Sequence, residues 1–359
     1  TRTTFDAAAT NVALTTTLGG TIGGLGTGGN NILNRSGDFI AGIANLTALG
    51  MTYTGNAGSG TFTATGGGKT GVSSTVQIAA GSATRLVLRA ATNDSVIAVT
   101  AGVTTNLVIT AKDASGNTVA TYAGAKLLTF SGADSSLDPA TSPTVTNSSG
   151  TSVGFGGVTS ITFVNGVAQV SGSSNGVLRL YRAQTTVITV SDGTIGSTGN
   201  DRLSATVSAA ALSKFGWALT SPQISGTPFT GINTLKAEDA WGNPVLTFNA
   251  SVSNVTVTTS LTGSVTGLGT ASDSILNRNT DFVNGIAALT ALGMKYTGPI
   301  GPGTFTATGA SKAGTSKSVE ITAGTASRLV ITGSATQTAG GSQNLTITAR
   351  DVANNIVQT

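Results

Sequence analysis

Part of this chain is written twice, and that repetition limits what it can fold into more than any other feature. Ile32-Leu-Asn-Arg-Ser-Gly-Asp-Phe39 returns as Ile275-Leu-Asn-Arg-Asn-Thr-Asp-Phe282, 243 positions later. Leu46-Thr-Ala-Leu-Gly-Met51 returns as Leu289-Thr-Ala-Leu-Gly-Met294 at the same spacing, and Gly60-Thr-Phe-Thr-Ala-Thr-Gly66 as Gly303-Thr-Phe-Thr-Ala-Thr-Gly309. The match continues from Asn106-Leu-Val-Ile-Thr-Ala-Lys-Asp113 to Asn344-Leu-Thr-Ile-Thr-Ala-Arg-Asp351, after a deletion of five residues. A chain that repeats itself folds as similar units in a row, each meeting its neighbours, rather than around one large core.

A weaker half-period divides the long one. Asp113-Ala-Ser-Gly-Asn117, Asp239-Ala-Trp-Gly-Asn243 and Asp351-Val-Ala-Asn-Asn355 are three versions of one turn. Gly116 and Gly242, with Asn354 in the third version, suit a positive φ, and Asp113, Asp239 and Asp351 can accept from nearby backbone N–H groups. Phe39-Ile-Ala-Gly-Ile-Ala44, Phe163-Val-Asn-Gly-Val-Ala168 and Phe282-Val-Asn-Gly-Ile-Ala287 are likewise versions of one segment. Each long period therefore holds two related domains of about 115–130 residues.

The units read as β. Leu107, Ile109 and Ala111 alternate with Val108, Thr110 and Lys112, and Leu345, Ile347 and Ala349 repeat the pattern. Alternation at period two, rich in β-branched residues, predicts a half-buried strand. Leu86/Leu88, Phe215/Trp217 and Leu329/Ile331 mark the strand before it in each copy. Asn233, where the other copies have Leu107 and Leu345, is expected to mark a local register difference. Residues 38–50 are read as strand because their counterpart, residues 160–170, has strand character.

Short strands with turns between them imply antiparallel sandwiches in a linear array. With its Asp-Ala-x-Gly-Asn turns, its Phe-x-x-Gly-x-Ala segments and endings such as Ile188-Thr-Val-Ser-Asp-Gly-Thr194, the chain resembles the bacterial immunoglobulin-like repeats of surface adhesins and invasin-type proteins. The resemblance implies an all-β fold of tandem immunoglobulin-like sandwiches at an extracellular or cell-surface location, with a cell-surface or host ligand as a candidate partner. Linkers such as the one around residues 319–330 are short, which favours a stiff row.

The repeat also places the ends. Thr1 falls just after the turn, so residues 1–83 form a domain lacking its first two strands. Residues 84–212 and 213–324 are expected to be complete. Residues 325–359 supply two strands and stop just past the third turn, so that with residues 1–83 they add up to one domain with about four residues of overlap. Two explanations fit: an excerpt of a long covalent adhesin or surface-layer stalk, or a subunit whose last two strands complete the first domain of the next copy. The second is the expectation taken here, and it makes copies of the chain its own partner. The donated apolar residues are Leu329, Ile331, Leu345, Ile347, Ala349, Ile356 and Val357. With Thr rather than Met first and no apolar leader, the chain is expected to begin after processing or excision.

Composition narrows function. Charged residues are 9% of the 359, against about 25% in ordinary domains. Cys and His are both absent, which removes thiolate chemistry and the commonest general base and metal ligand. No catalytic residue, metal or cofactor is expected. A net charge of +4 is too sparse for a nucleic-acid footprint, and no run of 18 apolar residues would span a membrane as a helix. Asp113, Asp239 and Asp351 are read as turn formers rather than calcium ligands, since each turn offers one carboxylate. Arg35 with Asp38 and Arg278 with Asp281 are read as local pairs. Gly23-Gly-Leu-Gly-Thr-Gly28 is read as a flexible loop rather than a phosphate loop, and Tyr53, Tyr181 and Tyr296 as strand or core residues.

Overall fold

The structure is a computed structural model that describes residues 5–358. The expected four-residue overlap involves residues 1–4 and 359, outside the described residues.

Alternation decides which faces are buried. In the strand Thr104–Lys112, Leu107, Ile109 and Ala111 are buried while Val108, Thr110 and Lys112 are half-buried. This strand pairs antiparallel with Arg85–Ala90 on one edge and with Val167–Gln169 and Val177–Arg179 on the other. Facing it is a five-stranded sheet ordered Val96–Thr100, Leu203–Ser208, Gln184–Ser191, Gly124–Ser131, Val158–Phe163. Leu88, Leu107 and Ile109 meet Leu128, Phe130 and Ile188 between the sheets in one sealed core.

A second core runs from Phe215 to Ile321. Here Lys214–Ala218 pairs with Thr234–Glu238, which pairs with Ile286–Ala288. Opposite lie Val255–Thr259 and Phe305–Gly309, with Ile275–Leu276 and Lys312–Thr315 at the edges. A third, smaller core comprises Ala7, Val12, Leu14, Leu25 and Leu33, with Phe39, Leu46 and Met51 packed against it but only half-buried. The regions around the three cores are called below the first (residues 5–83), second and third units in chain order. Beyond the third, Arg328–Thr332 and Thr346–Arg350 form an isolated antiparallel hairpin.

The chain is thus an all-β row of immunoglobulin-like sandwiches. Among the described residues the helical elements are the single turns Gly199–Asp201 and Leu289–Leu292. Among the described residues two strand pairings are parallel: Val96–Thr100 against Leu203–Ser208, and Gln223–Ile224 against Val319–Thr322.

Three expectations are corrected. Residues 38–50 are not a strand: Ile40 and Ile43 form an isolated bridge, and Leu49 N–H donates to Asn45 O in a helical turn. Their third-unit counterpart is a strand at Ile286–Ala288 because Thr234–Glu238 lies beside it, whereas among the described residues the first unit has no such partner. Asn233 marks no register difference, since Leu235 sits opposite Ala287 as Ile109 sits opposite Ala168. Its buried amide instead ties the preceding excursion, accepting from Thr220 N–H at 2.9 Å and donating to Thr230 O at 2.9 Å. The glycine-rich loop is a packed turn rather than a flexible one. Leu25 is fully buried, and a Cβ on Gly24, at φ 86°, would lie 1.9 Å from Gly50 O.

Candidate assembly interface

The first two Asp-x-x-Gly/Asn-Asn turns sit at junctions between successive units and the third between the third unit and the terminal hairpin; in each, the two end residues grip different things. In the first, Asp113 accepts from Asn117 N–H at 2.8 Å, closing the turn, and from Gly81 N–H of the incoming linker at 2.9 Å. Asn117 Nδ2 donates to Asp113 at 2.9 Å and also to Gly55 O of the first unit at 3.0 Å, while its Oδ1 accepts from Ala57 N–H at 2.9 Å. The second turn repeats the arrangement. Asp239 takes Asn243 N–H at 3.0 Å and Ala210 N–H at 2.9 Å; Asn243 donates to Tyr181 O at 2.7 Å and accepts from Ala183 N–H at 2.7 Å. In the third, Asp351 takes Asn355 N–H at 2.8 Å and Gly324 N–H at 3.0 Å, and Asn355 donates to Gly298 O at 3.0 Å. The fourth residue has positive φ in all three: Gly116 at 89°, Gly242 at 78° and Asn354 at 70°.

A carboxylate whose oxygens already take backbone and amide N–H groups is a hydrogen-bond hub rather than an open cation ligand. The Asn117 amide, opposed by burial and assisted by the N–H groups of Asn117, Gly81 and Ser115, lowers the Asp113 pKa to about 2. At Asp351 burial is the largest influence and disfavours charge, yet the Asn355 amide and the N–H groups of Gly324, Asn355 and Ala353 hold the pKa below its ordinary value. Sequence reasoning found these residues as turn formers and missed the reach of the asparagines into the preceding unit. The signal was present: the fifth position is Asn in all three copies, although a turn alone makes no demand there.

The second junction carries extra contacts. Trp241 lies 5.6 Å from the Tyr181 ring and against Gly102, where a Cβ would fall 2.0 Å from the indole. Its carbonyl accepts from Asp138 N–H, and Lys214 pairs with the Asp138 carboxylate.

The repeat supplies an internal comparison at the ends. In the third unit Phe282, Leu289, Met294, Tyr296, Phe305, Val319 and Ile321 are all 5% exposed or less. Their first-unit counterparts Phe39, Leu46, Met51, Tyr53, Phe62, Val76 and Ile78 are only half-buried. The difference comes from what covers them. Phe215, Leu235 and Ala237, from the two leading strands, belong to the core of the third unit, and Trp217 packs against it. Among the described residues nothing equivalent lies over the first unit, and Val76–Ile78 pairs only with Gly58–Gly60.

The terminal hairpin has the complementary character. Leu329 is 69% exposed, Ile331 62%, Leu345 59% and Ile347 63%. Ala349 and Val357 are half-buried and Ile356 is exposed; Val357 N–H donates to Ala349 O at 2.9 Å, as Val245 N–H does to Ala237 O at 2.8 Å.

The remaining candidates resolve locally. Asp38 accepts from Asn34 and Arg35 N–H at 2.8 and 2.9 Å, and Asp281 from Asn277 and Arg278 N–H at 2.7 and 2.8 Å, so both stabilise turns. Tyr296 is fully buried with its hydroxyl on Pro299 O, Tyr53 donates to Asn56 O, and Tyr181 is committed to Trp241. They share no common surface.

No protein-family model matches the chain, and no curated protein matches it in sequence. Among solved structures it is similar to the Escherichia coli adhesin FdeC, at 15% identity and a TM-score of 0.31, covering 76% of each chain. It is similar to invasin, a bacterial integrin-binding protein, at 14% identity and a TM-score of 0.27, covering 90% of this chain and 54% of that one. It is also similar to domains 4–9 of the surface layer protein SbsC, at 16% identity and a TM-score of 0.23, covering 92% of this chain and 42% of that one. The resemblance drawn from the sequence, to bacterial adhesin and invasin-type repeats, is met again in these structures. Likeness at this level carries no argument about what this chain binds.

Proposed function

We propose that the chain is a non-catalytic structural subunit of an extracellular, cell-surface filament, in which residues 325–359 of one copy complete residues 1–83 of the next. The observation behind this reading is the internal comparison: the positions sealed by two leading strands in the third unit are open in the first, and a hairpin of the same repeat phase stands uncovered at the other end. Heterologous, non-closing contacts of this kind propagate into filaments, and the donation resembles strand complementation at an open sheet edge.

Full burial of a large aliphatic side chain is worth about 1.5–3 kcal/mol. With Leu329, Ile331, Leu345 and Ile347 each about 60% exposed, covering them contributes about 4–7 kcal/mol before ordering costs and new backbone ladders. Deleting residues 325–359 is expected to abolish polymers in electron micrographs, and the same segment added as a peptide to cap the first unit. Undiminished polymerisation of the deletion variant would refute donation.

One observation favours a second reading, a covalent stalk of many such units: the third turn holds its predecessor through the same asparagine–carbonyl bond as the two internal ones, as a continuing chain requires. Denatured native material of about 35.1 kDa supports the subunit. A mass several times larger supports the stalk.

A further inference from the structure

We infer that a third strand is donated along with the hairpin: residues 336–338, in the connection between its two arms, pair in parallel with residues 77–79 of the next copy, Gln337 opposite Ile78 and Thr338 opposite Ala79. This rests on the donation reading and specifies it.

Both complete units show how the chain continues after the leading strand. In the second, Val99 sits opposite Val207 and Thr100 opposite Ser208, in parallel. In the third, Gln223 sits opposite Ile321 and Ile224 opposite Thr322, also in parallel. The next residue extends each ladder: Ala101 N–H donates to Ser208 O at 2.8 Å, and Ser225 N–H to Thr322 O at 2.9 Å. A glycine of positive φ then turns the chain. Gly102, at 77°, donates to Leu180 O at 2.7 Å, and Gly226, at 83°, to Tyr296 O at 2.8 Å.

The terminal segment carries the same sequence of parts. Gly340 precedes Leu345 by the interval that separates Gly102 from Leu107, and its φ is 86°. Counting back, Gln337 stands where Gln223 stands and Thr338 where Ile224 stands. The repeat maps Ile321 and Thr322 onto Ile78 and Ala79, and Tyr296 onto Tyr53.

Two further observations locate the acceptor. A Cβ on Gly102 would strike Trp241, and one on Gly226 would come 2.8 Å from Val352, both residues of the following turn. A Cβ on Gly340 would meet nothing within 4 Å. Its left-handed backbone therefore answers no crowding within its own chain, and the missing neighbour is the turn at Ala114 and Ser115 of the next copy. At that place the first junction holds a groove of about 380 Å³, lined by Tyr53, Ile78, Ala79, Ala114 and Ser115 among others. The groove gathers the edge, the carbonyl-bearing tyrosine and the turn that the donated strand requires.

The chain has no cysteine, so engineered pairs report without background. Paired β positions bring Cβ atoms within disulfide reach. Thr338→Cys with Ala79→Cys tests the parallel strand. Thr346→Cys with Asn45→Cys, the counterparts of Thr234 opposite Ala288, tests the hairpin itself. Thr336→Cys with Ala79→Cys is the register control, two residues out of line. The expected result is an oxidised ladder of multimers on non-reducing gels for the first two pairs, at least tenfold stronger than for the third. A ladder from the hairpin pair alone, or a control as strong as the test pair, overturns the third strand and leaves donation standing. Absence of both ladders overturns donation and this inference with it.

Discussion

Replacing Asn243 with alanine isolates what the junction clamp is worth. The side chain is 1% exposed and makes three bonds: to Tyr181 O at 2.7 Å, from Ala183 N–H at 2.7 Å, and to the Asp239 carboxylate at 2.8 Å. A neutral bond is worth about 0.5–1.5 kcal/mol net and one to a charged group about 1.5–3 kcal/mol. Only the Tyr181 and Ala183 bonds break when the junction opens, and water can then reach the stranded groups, so their loss is worth about 2 kcal/mol. At 1.4 kcal/mol per tenfold, the undocked population of the second junction rises about thirtyfold. Spin labels on exposed strands of the second and third units, read by pulsed dipolar spectroscopy, should show the distance distribution broaden. The cores do not include Asn243, so far-ultraviolet circular dichroism should stay native. Asn249→Ala is the control: that side chain accepts only from Ser251, within one unit. An Asn243→Ala distribution as narrow as that of the control would refute the clamp.

Other consequences are equally open to measurement. Asp113 has a folded pKa near 2, below its ordinary 3.8, so its contribution is complete above pH 3.8 and disappears as the pH falls through 2; the first junction should hold at pH 5 and loosen between pH 4 and 2, and loosening already at pH 5 would contradict the assignment. Gly267→Ala puts a Cβ 2.0 Å from Gly293 O at φ 87° and should cost the third unit at least about 2 kcal/mol in denaturant titration, whereas Gly68→Ala, at φ 69° with open space around it, should cost about 1 kcal/mol. Phe305→Ala, in a sealed core, should cost about 3–5 kcal/mol. Its half-buried counterpart Phe62→Ala should cost clearly less in the isolated chain, and equal penalties would mean that the first unit is already closed.

What could be read from sequence was whatever depends on local pattern. The alternation through Leu107, Ile109 and Ala111 fixes which face is buried, and the Asp-x-x-Gly-Asn spacing fixes a turn. Features that depend on a distant partner were not legible. Residues 38–50 and 281–293 are near copies, yet only the latter contains a strand, because a strand needs a neighbour and the neighbour is remote in sequence. The parallel strands were missed because Val96–Thr100 and Gln223–Ile224 share almost no residue types; backbone pairing recruits them, not side-chain pattern. Asn233 stands where the other copies have leucine, so the substitution pointed to register when the cause was a tied loop.

The clamp's partners across each junction are all main-chain groups: Gly55 O and Ala57 N–H, Tyr181 O and Ala183 N–H, Gly298 O. The asparagine clamp recognises only backbone and so places no demand on the side chains of the unit before it; the Trp241–Tyr181 contact and the Lys214–Asp138 pair are additions of the second junction. Units joined this way can drift in surface and core without spoiling the fit of their neighbours, and a duplicated unit arrives with its fitting already encoded in five residues. The row can therefore lengthen or exchange parts by recombination, with its joints working from the first generation.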